Sequence, residues 1–260
     1  MQVWAMANQK GGVGKTTSSL CLARCLAEGG ARVLLVDLDP HASLSHAFGV
    51  PSDPTPAGTH DLFVHDPTGD GEHSLLSLSR ETAIAHLRLV AAQPALATLE
   101  RRGAQQPGLG LALGRALQAA STSFDFALLD CPPTLGLLMV NALAAADRLV
   151  APTQTDPLAL HGLADMLRTA DMIERSRKRP LPRFVLPTLF DKRTRSGMQS
   201  LERMRELHHD NVCPAAIPMD TRLRDASALT AAETPAGRGF EAYREALGWL
   251  LATTQQREAA

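Results

Sequence analysis

The residues of this sequence best suited to chemistry are two lysines in one glycine-rich turn, Gln9-Lys10-Gly11-Gly12-Val13-Gly14-Lys15-Thr16-Thr17. An ordinary phosphate loop has glycine five residues before its Gly-Lys pair. Gln9 occupies that position here, and the glycines gather at 11, 12 and 14 instead. Lys15 is placed to reach the β- and γ-phosphates of a nucleotide, and Thr16 to put its hydroxyl on Mg²⁺. The backbone from Gly11 through Gly12, Val13 and Gly14 to Thr16 and Thr17 would offer N–H groups and a helix N-terminus to the phosphates. Lys10 has no such evident task. It is also out of keeping with the composition: of 26 basic residues only four are lysine, and two of those lie in this turn.

Carboxylates stand where a metal–phosphate site needs them. Asp130 closes the apolar run Phe126-Ala127-Leu128-Leu129, the position from which a strand-end acid holds the hydration shell of Mg²⁺. Asp37 and Asp39 close a second run, Val33-Leu34-Leu35-Val36. Ligands of an open parallel sheet bind beyond the C-terminal ends of its strands. All three acids are therefore expected on the rim that carries the loop. An Asp-x-Asp after a strand, taken alone, reads as a cap or a turn; beside a phosphate loop it reads as part of the site.

The elements that must position these groups alternate between strand-like and helix-like along the chain. Strands are expected at 2–7, 32–36, 87–91, 126–129, 148–151 and 184–186, with a short one near 215–217. Helices are expected at 16–28, 108–121, 134–145, 158–177, 197–209 and 237–252. Residues 49–60, rich in Pro, Gly and Thr, read as a surface loop, and 190–196 as a polar loop. The fold class is α/β: a single-domain P-loop NTPase with a mostly parallel twisted sheet covered by helices on both faces. No repeat or linker is visible. One domain over 1–260 is expected, with no room for an N-terminal helix-turn-helix module.

Net charge is −1, so the overall balance names no partner. The distribution is more informative, because nine basic residues face three acidic ones between Arg168 and Arg195. Cys21, Cys25, Cys131 and Cys213 lack metal-site spacing and read as buried thiols of a reduced, cytoplasmic protein. No signal peptide and no membrane-spanning run is visible.

Lys-Gly-Gly-Val-Gly-Lys-Thr-Thr at 10–17, Val-Asp-Leu-Asp-Pro at 36–40 and Leu-Asp-Cys-Pro-Pro at 129–133 resemble the deviant Walker A, A′ and B motifs of the ParA/MinD family. The likeness continues at 152–155, 159–163, 189–194 and 217–223, and is weakest at 50–85. It implies an ATP hydrolase using ATP/ADP and Mg²⁺, slow and stimulated by a partner, that forms a homodimer with ATP. Lys10 then matches the signature lysine, which reaches the partner's nucleotide across the dimer. A cation supplied in trans stabilises transition-state charge as an arginine finger does. Asp39 matches the residue that orients the attacking water, and Asp37 an acid on the Mg²⁺ side. The catalytic set so implied is Lys10, Lys15 and Asp39, and the metal set Thr16, Asp37 and Asp130.

Arg193 and Arg222 match positions that contact double-stranded DNA without sequence preference in partitioning members of the family, and Arg195 and Arg224 lie beside them. Such binding is mostly phosphate neutralisation. The cluster Arg175-Ser176-Arg177-Lys178-Arg179 ends a helix, where cations are favoured in any case. Whole-chain likeness is strongest to ParC-type proteins that place chemotaxis arrays at the cell pole, weighed against chromosome or plasmid partition. The adaptor implied is ParB-like or belongs to a chemotaxis array, and the location nucleoid-associated or polar. A MinD-like membrane tail is disfavoured, because the last helix carries Glu241, Arg244 and Glu245 on its polar face. A metabolic ligase of the dethiobiotin synthetase type would not need Lys10. A nitrogenase iron protein would need a second cluster cysteine. The chain departs from the family at His41, where glutamine is usual, and at Asp156, one carbon shorter than glutamate. His41 and His46 read as an exposed pair rather than a metal site.

Overall fold

The computed structural model describes residues 1–65, 73–102 and 109–258. Its centre is a sheet of seven strands: β1 (Gln2–Met6), β2 (Val33–Asp37), β3 (Arg80–Glu81), β4 (Leu87–Val90), β5 (Phe126–Asp130), β6 (Arg148–Gln154) and β7 (Arg183–Thr188). They lie in the order β3-β4-β2-β5-β1-β6-β7. All pairings are parallel except that of β3 with β4. Strands buried on both faces must be apolar without interruption, and β2 (Val-Leu-Leu-Val-Asp) is buried at every position.

Eleven α-helices are defined among the described residues: α1 (Lys15–Glu28), α2 (Ser43–Ala47), α3 (Thr59–His65), α4 (Leu75–Leu78), α5 (Leu96–Arg102), α6 (Ala112–Ala119), α7 (Leu137–Ala145), α8 (Pro157–Arg177), α9 (Arg195–His208), α10 (Ala226–Thr230) and α11 (Arg238–Glu258). Side chains alternate across a strand, so β1 serves two cores. Val3 and Ala5 pack with α6, α7 and α8. Trp4 and Met6 pack on the opposite face with α1 and α11. Arg148 is buried with its guanidinium 4.8 Å from the Trp4 ring and 5.5 Å from that of Phe184, and it donates to Leu250 O at 2.8 Å. A desolvated cation beside both rings fixes α11 at Leu250 to the sheet.

Four expectations change. The strand near 215–217 is an extended segment instead, held to β7 by Ile217 N–H on Pro187 O at 2.8 Å and Cys213 N–H on Val185 O at 2.9 Å. Pro187, Pro214 and Pro218 have no N–H, so a continuous ladder cannot form. The expected helix at 134–145 begins only at Leu137, after Pro132, Pro133 and Gly136. The expected helix at 108–121 is a 3₁₀ turn at Leu109–Leu111 followed by α6, and Gly108 lies outside the described residues. α2 to α5 and β3 are too short to carry a readable period. The last helix runs on to Glu258, and Phe240, Tyr243, Ala246, Leu247 and Leu250 bury its apolar face in the core. Among the described residues no helix is long and apolar enough to cross a membrane.

Candidate nucleotide-binding site

The glycine-rich turn joins β1 to α1 at the C-terminal rim of the sheet. Gly12 and Gly14 have φ of 73° and 86°, a region that costs a side chain steric strain. Gly11 and Gly12 are exposed, so the backbone of the turn faces solvent. Its foundations are buried. Val13 O accepts from Thr188 Oγ1 at 2.7 Å, which pins the turn to the end of β7. Asn8 Nδ2 donates to Pro152 O at 2.9 Å, and Asn8 Oδ1 accepts from Lys10 N–H at 3.0 Å. Sequence reasoning missed Asn8 and Thr188. An amide side chain between a buried strand and a glycine run was the available signal for the first; nothing local marks the second.

The two lysines part company. Lys15 is buried and its amine donates to Lys10 O at 3.1 Å, folded beneath the turn. Burial lowers its pKa, and the carboxylate of Asp130 opposes that shift. The Lys10 amine turns outward to the start of α8, 3.6 Å from Asp156 Oδ1. Asp156 is the N-cap of that helix and accepts from Leu158 N–H at 3.0 Å. Gly162 of α8 lies against Lys10, where an added methyl would come within 3.2 Å of Lys10 Cβ.

The expected acids do share the rim. Asp37 and Asp130 are register partners at the ends of adjacent strands, both buried. Burial pushes both carboxyls above the usual carboxylate range, and Asp37 adds its own charge to the effect on Asp130. The Ser19 and Thr16 hydroxyls beside Asp130 pull it back. Asp37 has both oxygens engaged: Oδ2 accepts from Ser45 N–H at 2.9 Å and Ser45 Oγ at 2.7 Å, and Oδ1 from Asp39 N–H at 3.1 Å. Asp130 Oδ1 accepts from Ser19 Oγ at 2.8 Å, while its buried Oδ2 has no hydrogen-bond partner. A buried orphan carboxylate oxygen is costly unless a donor or a cation meets it. With Thr16 nearby, this oxygen suits a hydrated divalent cation, so the residues present fit Mg²⁺. Asp39 is largely covered and pairs with His41, while His46 Nε2 contacts Ser52 Oγ at 2.9 Å. The two histidines thus have separate partners, and no cluster of three metal-type side chains occurs among the described residues. All four cysteines are buried free thiols.

The four arginines form a separate surface. An isolated bridge between Phe190 and Pro218 joins the segment 190–195 to 218–224. Arg193, Arg195, Arg222 and Arg224 are exposed on the joined segments. Arg193 and Arg222 repeat one local design. In each, an aspartate two residues earlier accepts the arginine's backbone N–H at 3.0 Å. Arg193 then pairs with Asp191 at 2.8 Å, whose carboxyl is pulled down to about 2, while Arg222 stands 3.9 Å from Asp220. The 175–179 cluster is divided. Arg177 donates to Leu143 O and Ala146 O, both at 2.6 Å, and Arg179 to Ala146 O at 2.9 Å, so these two cap the C-terminus of α7. Arg175 and Lys178 remain exposed.

Residues 1–182 match the family model described as an AAA domain. The chain is 35% identical over 246 residues to the sporulation initiation inhibitor protein Soj of Bacillus subtilis, covering 93% of this chain and 95% of that protein. It is 36% identical over 259 residues to the chromosome-partitioning ATPase Soj of Thermus thermophilus, covering 97% and 96%. Among solved structures, it is similar to one described as cobyrinic acid a,c-diamide synthase from Mycobacterium smegmatis with an ATP analogue and magnesium bound. That match has a TM-score of 0.83 and 32% identity, over 98% of this chain and 96% of that one. A two-lysine phosphate loop on this sheet, with relatives at this identity over nearly the whole chain, places the protein in the ParA/MinD family of deviant Walker A ATPases.

Proposed function

We propose that this protein is a Mg²⁺-dependent ATP hydrolase that dimerises on ATP, binds double-stranded DNA without reading its sequence, and uses the cycle to position a cellular cargo. The observation that carries the proposal is the divergence of the two lysines. Lys15 lies beneath the turn, where it serves the chain's own phosphates. The Lys10 amine stands at the outer edge of the turn, 3.6 Å from Asp156, with a third of its side chain exposed. An amine so placed is available to a second chain.

In this reading Gly11 to Gly14 and the start of α1 hold the phosphates, and Thr16 and Asp130 hold Mg²⁺. Mg²⁺ held there would supply positive charge against the charge that develops on the phosphates. Asp37 acts one step back, because Ser45 and Asp39 occupy its oxygens and it braces the turn that carries Asp39. Asp39 orients the attacking water. Lys10 of the partner stabilises the charge that develops as the bond breaks, so hydrolysis waits for dimerisation.

The paired segments around Arg193 and Arg222 supply the DNA surface, with Arg195 and Arg224 beside them. The Soj relatives favour chromosome or plasmid partition with a ParB-like partner; a polar chemotaxis array remains the competing cargo. The buried apolar face of α11 disfavours a lipid-docking tail. The synthase description of the solved neighbour motivates a second reading, ATP-dependent small-molecule synthesis, in which turnover requires an organic acceptor. The deciding experiment measures ATP hydrolysis and sedimentation with ATP, DNA and no other substrate. DNA-stimulated turnover by a dimer supports the switch. A monomer that hydrolyses ATP at full rate, or needs an organic substrate, overturns it.

A further inference from the structure

Asp39 is held from the solvent side by a residue that phosphate-loop logic does not require. Two donors of His41 converge on one oxygen: its backbone N–H lies 3.0 Å from Asp39 Oδ1, and its ring Nδ1 lies 2.9 Å from the same atom. The backbone bond would form with any residue at 41. The ring bond needs a side-chain donor at the Nδ1 position. It is formed by a side chain that is 80% exposed, on a carboxylate that is only 14% exposed. Packing does not hold the ring there; the hydrogen bond does.

The main chain around Asp39 is already set. Asp39 N–H is committed to Asp37 Oδ1 at 3.1 Å, and Ala42 N–H donates to Asp39 O at 2.8 Å, with Ala42 in the left-handed region at φ 53°. The Asp39 carboxylate is held at Oδ1 by the His41 backbone N–H, and the His41 ring adds a second restraint on the same oxygen. The Asp39 carboxylate acts electrostatically on Lys15, Asp37 and Asp130. None of them is the group that contacts its Oδ1; His41 is. An ionised carboxylate only accepts, so a neutral His41 ring makes this bond as the tautomer protonated on Nδ1.

We infer that His41 is a positioning residue for ATP hydrolysis: by holding Oδ1 it presents Oδ2 of Asp39 to the attacking water. The inference rests on the reading of Asp39 given under Proposed function. Steady-state ATP hydrolysis by the full chain tests it, using His41→Ala, His41→Asn and His41→Gln, with Asp39→Asn alongside. An asparagine amide overlies the Nδ1 position, whereas a glutamine amide reaches only toward Nε2. Loss of one hydrogen bond at a carboxylate predicts that His41→Ala lowers kcat about three- to tenfold. KM for ATP and the melting temperature should hold, since His41 touches neither phosphate loop nor core. His41→Asn should recover most of the loss and His41→Gln should not. A normal kcat in His41→Ala, a loss confined to KM, or recovery by Gln but not Asn overturns the inference. Normal turnover in Asp39→Asn removes the underlying reading of Asp39. An inert Asp39→Asn beside a normal His41→Ala removes only the role of His41.

Discussion

Lys10 Nζ lies 3.6 Å from Asp156 Oδ1, so the lysine that would serve a second chain is engaged within its own. Both side chains are about a third exposed, and pairs of this kind contribute about 0.2–1 kcal/mol. Such a bond orients Lys10 without preventing its transfer to a partner.

Removing the cis acid should therefore favour the dimer modestly. Asp156→Asn keeps an N-cap for α8 but discards the charge. Its ATP-dependent dimer is expected to tighten about two- to fivefold, measured by sedimentation equilibrium with a non-hydrolysable analogue. Lys10→Ala should abolish hydrolysis and weaken the same dimer. Asp39→Ala should give an ATP dimer that persists. A Lys10→Ala protein with full turnover would refute the trans role.

Asp37 and Asp130 predict a pH dependence for the nucleotide-free protein. Burial raises their carboxyls to about 6 and about 7. Unfolded aspartates lose their protons near pH 4, so across this window the folded chain binds more protons than the unfolded one. Stability should then fall as pH rises from about 4 to about 7, and level off above. Thermal melts in chelator should show this fall, and Asp130→Asn should flatten it. A wild-type melting temperature that climbs through the window would contradict the burial of these acids.

The proposed DNA surface predicts a salt signature. Arg193→Ala with Arg222→Ala should weaken binding equally across sequences and reduce the slope of log affinity against log salt by about two. Asp191→Asn should do the opposite, because it releases the Arg193 guanidinium now held at 2.8 Å. Fluorescence anisotropy with ATP at several salt concentrations checks both. Equal DNA binding without nucleotide would separate this surface from the ATP cycle.

Arg24 predicts a linkage between the helix that follows the phosphate turn and residues 226–234. It is fully buried on α1 and donates to Leu229 O at 2.9 Å, to Ala231 O at 2.7 Å and to Glu233 O, with Glu28 at 2.8 Å. Arg24→Met leaves those carbonyls without their donor, at a cost of about 2–4 kcal/mol. Denaturant unfolding measures the loss. Hydrogen exchange should accelerate first in residues 226–234, which the guanidinium ties to α1.

The site was legible in the sequence wherever function lies in consecutive residues. Gly12 and Gly14 had to be glycine for φ values of 73° and 86°, and a glycine run before Lys-Thr-Thr announces that geometry. Asp37 and Asp130 were legible because each ends an apolar run that has to be a buried strand. The braces were not. Ser19 to Asp130 spans 111 positions, and Thr188 to Val13 spans 175. Serine and threonine carry no sign of a distant partner. The strand expected near 215–217 was misread because its apolar residues fit a strand, while Pro187, Pro214 and Pro218 remove the donors a ladder needs.

The sequence by itself determined the parallel α/β sheet, the phosphate turn and the rim of acids, since each follows from local rules of strand burial, glycine conformation and strand ends. Tertiary structure alone decided which basic and acidic groups are engaged. It turned Arg177 and Arg179 from a basic patch into caps for α7. It closed Asp37 with Ser45 while leaving Asp130 Oδ2 unpartnered, and it set Lys10 against Asp156. A charge acts over ångströms in space, and in a sheet with crossovers those ångströms join residues far apart in the chain.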